Sequence, residues 1–308
     1  AAISAAASPQ RCLPALLAAA DATRAPLTRT ALSKAIASAA ARLPVAMAQV
    51  DPHATAPPDA RAGGEVVAAY SYSGGAVSSV VPEYAALGMP FLFANVQKAW
   101  EVMDGPIGKE LGDKTAAKGM VLLGLWDNGI RQMSNSKRAI KSPADMKGLK
   151  MRTPPDAVTV DIMQAMGADA QQIKFSELYV ALQQGVVDGQ ENPLTNIASA
   201  KLYEVQKYIS LSGHKYESTP FLMSKRTWDR MTPADQKVVT EAAAEATQLQ
   251  RRLNKEVDDK LVAELKGKGV QIDTIDRKAF VDASASVYTK WTSGPIGDFV
   301  TRVVQAAR

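Results

Sequence analysis

From Pro233 to Gly267 the chain has no internal glycine or proline, and the stretch is introduced by Thr232-Pro233-Ala234-Asp235. Threonine caps a helix N-terminus through its side chain. Proline is preorganised for the first helical position, and an acid three residues after the cap completes the box. One helix over this span would be about 50 Å long at 1.5 Å per residue, longer than a small domain is wide. It would therefore cross from one domain to another; the alternative is two helices broken near Asn254. A chain of 308 residues exceeds what one core usually holds, so two domains are the expected division. No linker-like segment or internal repeat separates them. The domains are expected to be discontinuous, with the chain crossing between them.

A second constraint is the run Phe175 to Pro193. Ser176 is a candidate cap for a helix to Gln184, with Leu178, Ala181 and Leu182 on its apolar side. Gly185 supplies a left-handed stop, Val186-Val187 reads as a short strand, and Asp188-Gly189 as a turn. Asn192-Pro193 then reads as a cap and first helical residue, opening a helix through 194–201. In open α/β sheets ligands sit at such strand ends, where backbone N–H groups and the Asn192 amide are left available.

The same reasoning places the other elements. Val66 to Tyr72 reads as a strand, Gly74-Gly75 as a turn, 81–87 as a short helix or turn, and 94–111 as one helix. Met120 to Leu125 is a buried strand broken by Asp127-Asn128-Gly129, with extended structure resuming over 131–135. Ser142-Pro143-Ala144-Asp145 opens a helical turn. Leu149 to Thr153 is a strand halted by Pro154-Pro155, and Asp156 caps a helix that ends at Gly167. The segment 167–173 reads as a link. Further strands are expected at 208–211 and 221–224 around a turn at His214, and at 270–275. Helices are expected at 277–290 and 296–307.

Composition narrows the function classes. The formal charge is +5, but Lys and Arg are interleaved with acids along the helices rather than clustered with aromatics, which disfavours nucleic acid and suits attraction of small anions. A single cysteine, Cys12, excludes an internal disulfide, and two distant histidines offer no metal spacing. No apolar run approaches a membrane span. No nucleophile elbow, phosphate loop or dinucleotide fingerprint is present, so no cofactor and no catalytic residue is assigned. Glu177, Asp188 and Glu191 are read as capping and turn residues rather than as paired acids.

The run Phe175–Pro193 closely resembles the signature of the solute-binding proteins of tripartite ATP-independent periplasmic (TRAP) transporters, the dicarboxylate-binding-protein family. The resemblance extends through Trp126-Asp127-Asn128-Gly129-Ile130-Arg131, Ser134 to Arg138, Gly148 to Pro154, Tyr203 to Tyr208 and His214-Lys215-Tyr216, and covers roughly residues 66–300. It implies an α/β, two-lobed periplasmic-binding-protein-like fold with a ligand cleft between lobes and a long helix spanning both. The lobes are expected at 1–128 plus 218–257 and at 129–217 plus 258–308. It implies a periplasmic protein that captures a small organic-acid ligand and docks on the membrane subunits of a TRAP permease, as a monomer. A ligand-sensing receptor domain feeding a signalling partner is the alternative, and an isomerase or lyase a more distant one.

From its residues alone, Arg152 is either a preorganised fork for a ligand carboxylate or the partner of an internal acid. The resemblance implies the first, since the matching arginine of the Arg-Thr-Pro motif binds ligand. It likewise implies that Asn192 contacts ligand, that Arg131 is a second ligand-binding arginine, and that Phe175 lines the cleft. Trp126 and Asn128 become cleft-edge candidates. His214 reads as a structural hydrogen-bonding residue. Nothing in the sequence separates a C4-dicarboxylate from a sugar acid.

Residues 1–64 depart from the family. They contain no Phe, Trp, Tyr or Glu, include Pro57-Pro58, and lack the strand–helix–strand that members have there, although 31–43 allows a helix. A displaced reading frame upstream of about residue 65, a fused segment or natural divergence would each produce this. Irregular packing over 1–64 and weak or absent ligand binding are expected. The chain starts without Met, consistent with removal of a leader, although the first residues do not form a signal-peptide pattern.

Overall fold

The computed structural model describes residues 70–71 and 73–308, so the expectations for 1–64, and most of the strand expected at 66–72, lie outside the described residues. The chain enters through β1 (Tyr70–Ser71), α1 (Gly74–Val77), a 3₁₀ turn (Pro82–Gly88), α2 (Val96–Asp104) and α3 (Pro106–Ala116) to the long strand β2 (Met120–Asn135). A second 3₁₀ turn (Pro143–Met146) leads into β3 (Lys150–Thr153), α4 (Ala157–Ala165), β4 (Asp169–Gln172), α5 (Phe175–Gln183), β5 (Gly189–Pro193) and α6 (Leu194–Ser199). After Leu202–Glu204 come β6 (Tyr208–Ser224), α7 (Lys225–Asp229), α8 (Pro233–Gly267), β7 (Gln271–Thr274), α9 (Arg277–Ala283), α10 (Ala285–Thr292) and α11 (Gly297–Ala307).

The α/β class is as expected. One mixed sheet runs β1-β6-β2-β5-β3-β4, with β7 also on β6. β2 and β6 pair antiparallel along nearly their whole length, with register shifts at Leu122/Gly124, Asp127/Gly129 and Arg131/Met133. Each shift leaves an unpaired residue and bends the ribbon. These bulges correct two readings. Asp127-Asn128-Gly129 does not break the strand: Gly129, at φ +125°, carries it through a conformation closed to side-chain-bearing residues. The strands expected at 208–211 and 221–224 are one strand, with His214 inside it rather than in a turn.

α8 is a single helix of 35 residues, about 52 Å long, with no break at Asn254. Thr232 Oγ1 accepts from Asp235 N, as its sequence required. The first half of α8 buries Val239, Ala242, Ala243 and Ala246 against Trp126, Phe221 and Met223. The last part buries Leu261 and Leu265 with Leu178, Leu182, Val187 and Ile209. Between them the contact is polar. Gln250 exchanges hydrogen bonds with the Asp127 main chain, Arg251 donates to Leu125 O, and Asn254 donates to Asn128 O. The helix thus joins two separate apolar clusters.

Other departures are local. The helix expected at 94–111 is broken into α2 and α3 at Gly105-Pro106, and the one at 277–290 into α9 and α10 at Ser284. Gly74-Gly75 opens α1, capped by Ser73, and the presumed link at 167–173 contains β4. α5 begins at Phe175 itself, so Ser176 is not its cap. Gly185, at φ +70°, does end it: Gly185 N bonds Leu182 O and Val186 N bonds Ala181 O, a Schellman closure. That closure consumes Val186, so the strand starts only at Gly189. Gly189 is no turn residue: a Cβ there would lie 2.4 Å from Ser134 O, which makes it a close-approach position between β5 and β2. Asn192 lies in β5, and Pro193 rather than Asn192 precedes α6.

Candidate functional site

β5 brings Gln190, Glu191 and Asn192 into the middle of the sheet, all buried, between β2 and β3. Polar residues in so enclosed a strand need partners, and β2 and β6 supply them. Arg131 on β2 closes its guanidinium on Glu191: Nη2 donates to Oε1 at 2.7 Å and to the Glu191 carbonyl at 2.8 Å, and Nε donates to Oε2. His214 on β6 completes the group, with Nε2 3.3 Å from Glu191 Oε2 and Nδ1 2.7 Å from Ser212 Oγ. Burial alone would raise the Glu191 pKa, but Arg131 and His214 hold it well below the usual carboxylate range. Burial pushes the His214 imidazole below its ordinary value against the pull of Glu191, which keeps it neutral. His214 is the structural hydrogen-bonding residue its sequence suggested. Glu191, read as a capping residue, is instead the counter-ion of Arg131.

A second charged group lies further along β6. Lys215 Nζ donates to Asp156 Oδ2, to Thr159 Oγ1 at 2.8 Å and to Glu217 Oε2 at 2.9 Å. Burial would lower the Lys215 pKa, yet Asp156 and Glu217 raise it above its ordinary value. Asp156 also caps α4 through Val158 N, as expected, so one side chain both starts a helix and holds a buried cation. Glu217 Oε1 accepts from Gly75 N at 2.9 Å, tying β6 to α1, and Oε2 lies 3.9 Å from Arg131 Nη1. The two groups therefore join through Arg131 and Glu217. Between α1, the first 3₁₀ turn and β6 remains a cavity of about 10 Å³, lined by Gly75, Tyr84, Asp156, Lys215, Glu217 and Ser218. That is at most the space of one water.

Arg152, at the end of β3, is different. Only 1% exposed, it donates from Nε to Ile173 O at 2.8 Å, while Nη2 has no partner. Among the described residues no carboxylate lies within ion-pair distance of it. Burial first, then the repulsion of Arg131, lowers its pKa to about 9, with Glu191 opposing, so it remains a cation at neutral pH. Its guanidinium sits 5.9 Å from the Phe175 ring centre, over a side chain that also packs with Leu178 and Leu182. Three hydroxyls, of Thr153, Ser218 and Thr219, are likewise buried without a partner.

The structure thus brings Arg152, Phe175, Arg131 and Asn192 into one region. Asn192 Oδ1 accepts from Arg131 Nη2 and Asn196 Nδ2, and its Nδ2 donates to Gln190 Oε1. Asn196 Nδ2 also donates to Asn128 Oδ1, so Asn128 belongs to the amide cluster beneath α8. Trp126 stacks on Phe221 at 4.6 Å and donates to Thr247 Oγ1, a wedge in the apolar seam with α8. Lys215, Glu217 and Asp156 were missed as site residues. Lys215 and Glu217 fall in the segment read as a turn between two strands, and Asp156 reads only as a helix cap, so nothing local marks the group. Among the described residues no cluster of His, Cys, Asp and Glu fits a metal ion, and no helix is long and apolar enough to cross a membrane.

Residues 62–293 match the family model described as bacterial extracellular solute-binding protein, family 7 (DctP). Over 198 residues the chain is 37% identical to the 2,3-diketo-L-gulonate-binding periplasmic protein YiaO of Escherichia coli, covering 64% of this chain and 60% of that protein. Over 190 residues it is 38% identical to the C4-dicarboxylate-binding periplasmic protein DctP of Rhodobacter capsulatus, covering 61% and 56%. The chain spans 40%, 64% and 60% of the first three curated relatives it matches. A TRAP periplasmic solute-binding protein from Polaromonas, solved with D-erythronate, is similar over 81% of this chain and 80% of its own, at 37% identity and a TM-score of 0.75. The solved structures it resembles share the two-lobed architecture expected from the sequence.

Proposed function

The chain belongs to family 7 of the bacterial extracellular solute-binding proteins, and from that premise we propose that it captures a small organic acid in the periplasm and hands it to the membrane subunits of a TRAP-type permease. Arg152 carries the reading. A buried guanidinium with no counter-ion and one unpartnered nitrogen among the described residues is costly to fold, because charge removed from water needs a partner of opposite sign. A ligand carboxylate is that partner, and the planar fork offers it two parallel, charge-assisted bonds. Phe175 covers the guanidinium face. Arg131, with Nε and Nη2 taken by Glu191, offers Nη1, and Asn192 its remaining amide hydrogen. Within the described residues the lobes are 70–71 and 73–128 plus 218–257, and 129–217 plus 258–308, and closure between them excludes water and strengthens the ionic contact. The protein works as a monomer, binds without turning its ligand over, and has no nucleic-acid partner.

The test begins with mass spectrometry of whatever acid the purified full chain releases on denaturation, followed by calorimetry with that acid. Arg152→Ala is expected to weaken binding by about 2–5 kcal/mol, roughly thirty- to several-thousand-fold. Affinity within about twofold of the unmutated chain would reject the assignment.

A further inference from the structure

Of the three register shifts between β2 and β6, the one at Arg131/Met133 is the widest. Arg131 pairs with Lys215 and Met133 with Ser210, so the single residue Gln132 faces four residues of β6, Leu211 to His214. A bulge of that size pushes β6 out of line, and Gly213, at φ +53°, lets the chain turn there. Between this bulge, α8 and the turn from β7 into α9 lies a cavity of about 420 Å³, within the range of small-molecule sites. Arg131, Arg152, Glu191 and Asn192 do not line it, so it is separate from the organic-acid site.

Two opposite charges in its wall are unspent. Asp258, on α8, makes no ion pair or side-chain hydrogen bond among the described residues, and its Oδ1 is buried without a partner. It faces Asp259 and Lys255 on its own helix and Asp127 on β2; burial first, then Asp259, push its pKa up to about 6, which leaves it largely ionised at neutral pH. Asp259 also reaches the cavity, but it is paired with Lys255 at 2.7 Å. Arg277, at the start of α9, likewise pairs with no acid among the described residues. Its guanidinium is held 4.7 Å from the Phe91 ring centre and stands beside Gly213, where a Cβ would lie 3.8 Å from Nη1. Phe91 is fixed in turn, its N–H donating to His214 O at 2.9 Å. Gln132 spends Oε1 on Gly213 N, which leaves its NH₂ for a ligand.

We propose that this cavity is a second binding site, for a small aliphatic amino acid held as a zwitterion, with its ammonium on Asp258 and its carboxylate on Arg277 and the Gln132 amide. The carbon chain lies against Leu211, Val262 and Ile275, which make the rest of the wall apolar. Neither charge suffices alone. An amine without a carboxylate engages Asp258 but leaves Arg277 unanswered, and an acid without an amine meets the like charges of Asp258 and Asp259. A zwitterion answers both charges, and a planar guanidinium matches its carboxylate with two parallel bonds. The inference does not depend on the reading of Arg152.

The test uses the full chain at about pH 7.5, where Asp258 is ionised. Calorimetry and saturation-transfer NMR are run with glycine, β-alanine, 4-aminobutyrate, 5-aminopentanoate, L-alanine, L-valine and L-leucine, each beside the amine and the carboxylic acid of the same carbon chain. At least one amino acid is expected to bind with a dissociation constant of about 1 mM or tighter, and about tenfold or more tighter than its own amine and acid. Asp258→Asn and, independently, Arg277→Gln should each weaken it by about tenfold; two variants guard against one failing to fold. Arg152→Ala should leave it within about twofold, because the two sites share no residue. If no amino acid of the panel binds, or if binding is unmoved in folded Asp258→Asn, the proposal is overturned. An amine bound as tightly as its amino acid removes the part given to Arg277 and overturns the zwitterion. Binding that is lost in Arg152→Ala and kept in Asp258→Asn places the amino acid in the organic-acid site, which overturns this proposal and leaves the role of Arg152 standing. Binding that needs Asp258 in a chain whose Arg152→Ala variant keeps full affinity for its organic acid upholds this site while the other reading falls.

Discussion

Two cations buried to the same degree sit in one network and are treated in opposite ways. Lys215 is enclosed by two carboxylates and a hydroxyl, and its pKa is raised; Arg152 has one carbonyl oxygen, and its pKa is lowered. Burial acts on both in the same direction, so the difference lies entirely in the partners. The saturated cation belongs to the folded protein's own stability. The unsaturated one is left with no opposite charge among the described residues.

The sharpest way to break this contrast is to make one substitution at both ends. Lys215→Met would strand Asp156 and Glu217 against each other in a dry pocket and should cost about 3–5 kcal/mol in urea denaturation. Arg152→Met without ligand loses only the bond to Ile173 O and removes an unpaired charge, so its loss should stay within about 1 kcal/mol. Equal losses at the two positions would erase the distinction. Next in size is Arg152→Lys, which keeps the charge but not the planar fork. Its affinity should fall by about tenfold or more in calorimetry, whereas a point-charge site would tolerate it.

The smallest expected effect is in acid. Glu191 and His214 both have pKa values lowered in the folded state. Each therefore contributes stability that is present above its unfolded value and is lost as pH falls toward the folded one. Stability should decline first below the ordinary histidine value of 6.5 and more steeply below the ordinary glutamate value of 4.5. Replacing His214 by Gln should flatten the first decline and leave the second. A His214→Gln protein with an unchanged slope between pH 6.5 and 5 would mean that His214 is charged in the fold.

The sequence was legible where the determinants are local. Thr232-Pro233-Ala234-Asp235, Gly185 and the box at Ser142 each act through residues within one turn, and each is found where expected. β2 and β6 were not legible, because Asp127-Asn128-Gly129 and Gly213-His214 are locally indistinguishable from turns. Only the facing strand makes them bulges. The site divides the same way. Arg152 stood out because two prolines fix the chain just beyond it. Lys215, Glu217 and Asp156 did not, because a charged residue is read as exposed until its partner is known, and the partner of Lys215 lies 59 positions away. The packing of Trp126 was hidden for a related reason: the indole's hydrogen-bond partner lies on α8, more than a hundred residues later.

The grip of α8 on β2 has a consequence for how such a protein can vary over generations. Gln250, Arg251 and Asn254 hold the peptide groups of Leu125, Asp127 and Asn128, not their side chains. Every amino acid supplies a carbonyl, and all but proline supply the N–H that Gln250 takes from Asp127. The side chains of Leu125, Asp127 and Asn128 can therefore be exchanged by mutation without losing these bonds to the helix, whereas Trp126, whose indole donates to Thr247 of α8, is tied to it by its side chain; a lineage is free to change what the strand displays only at the positions held through the backbone.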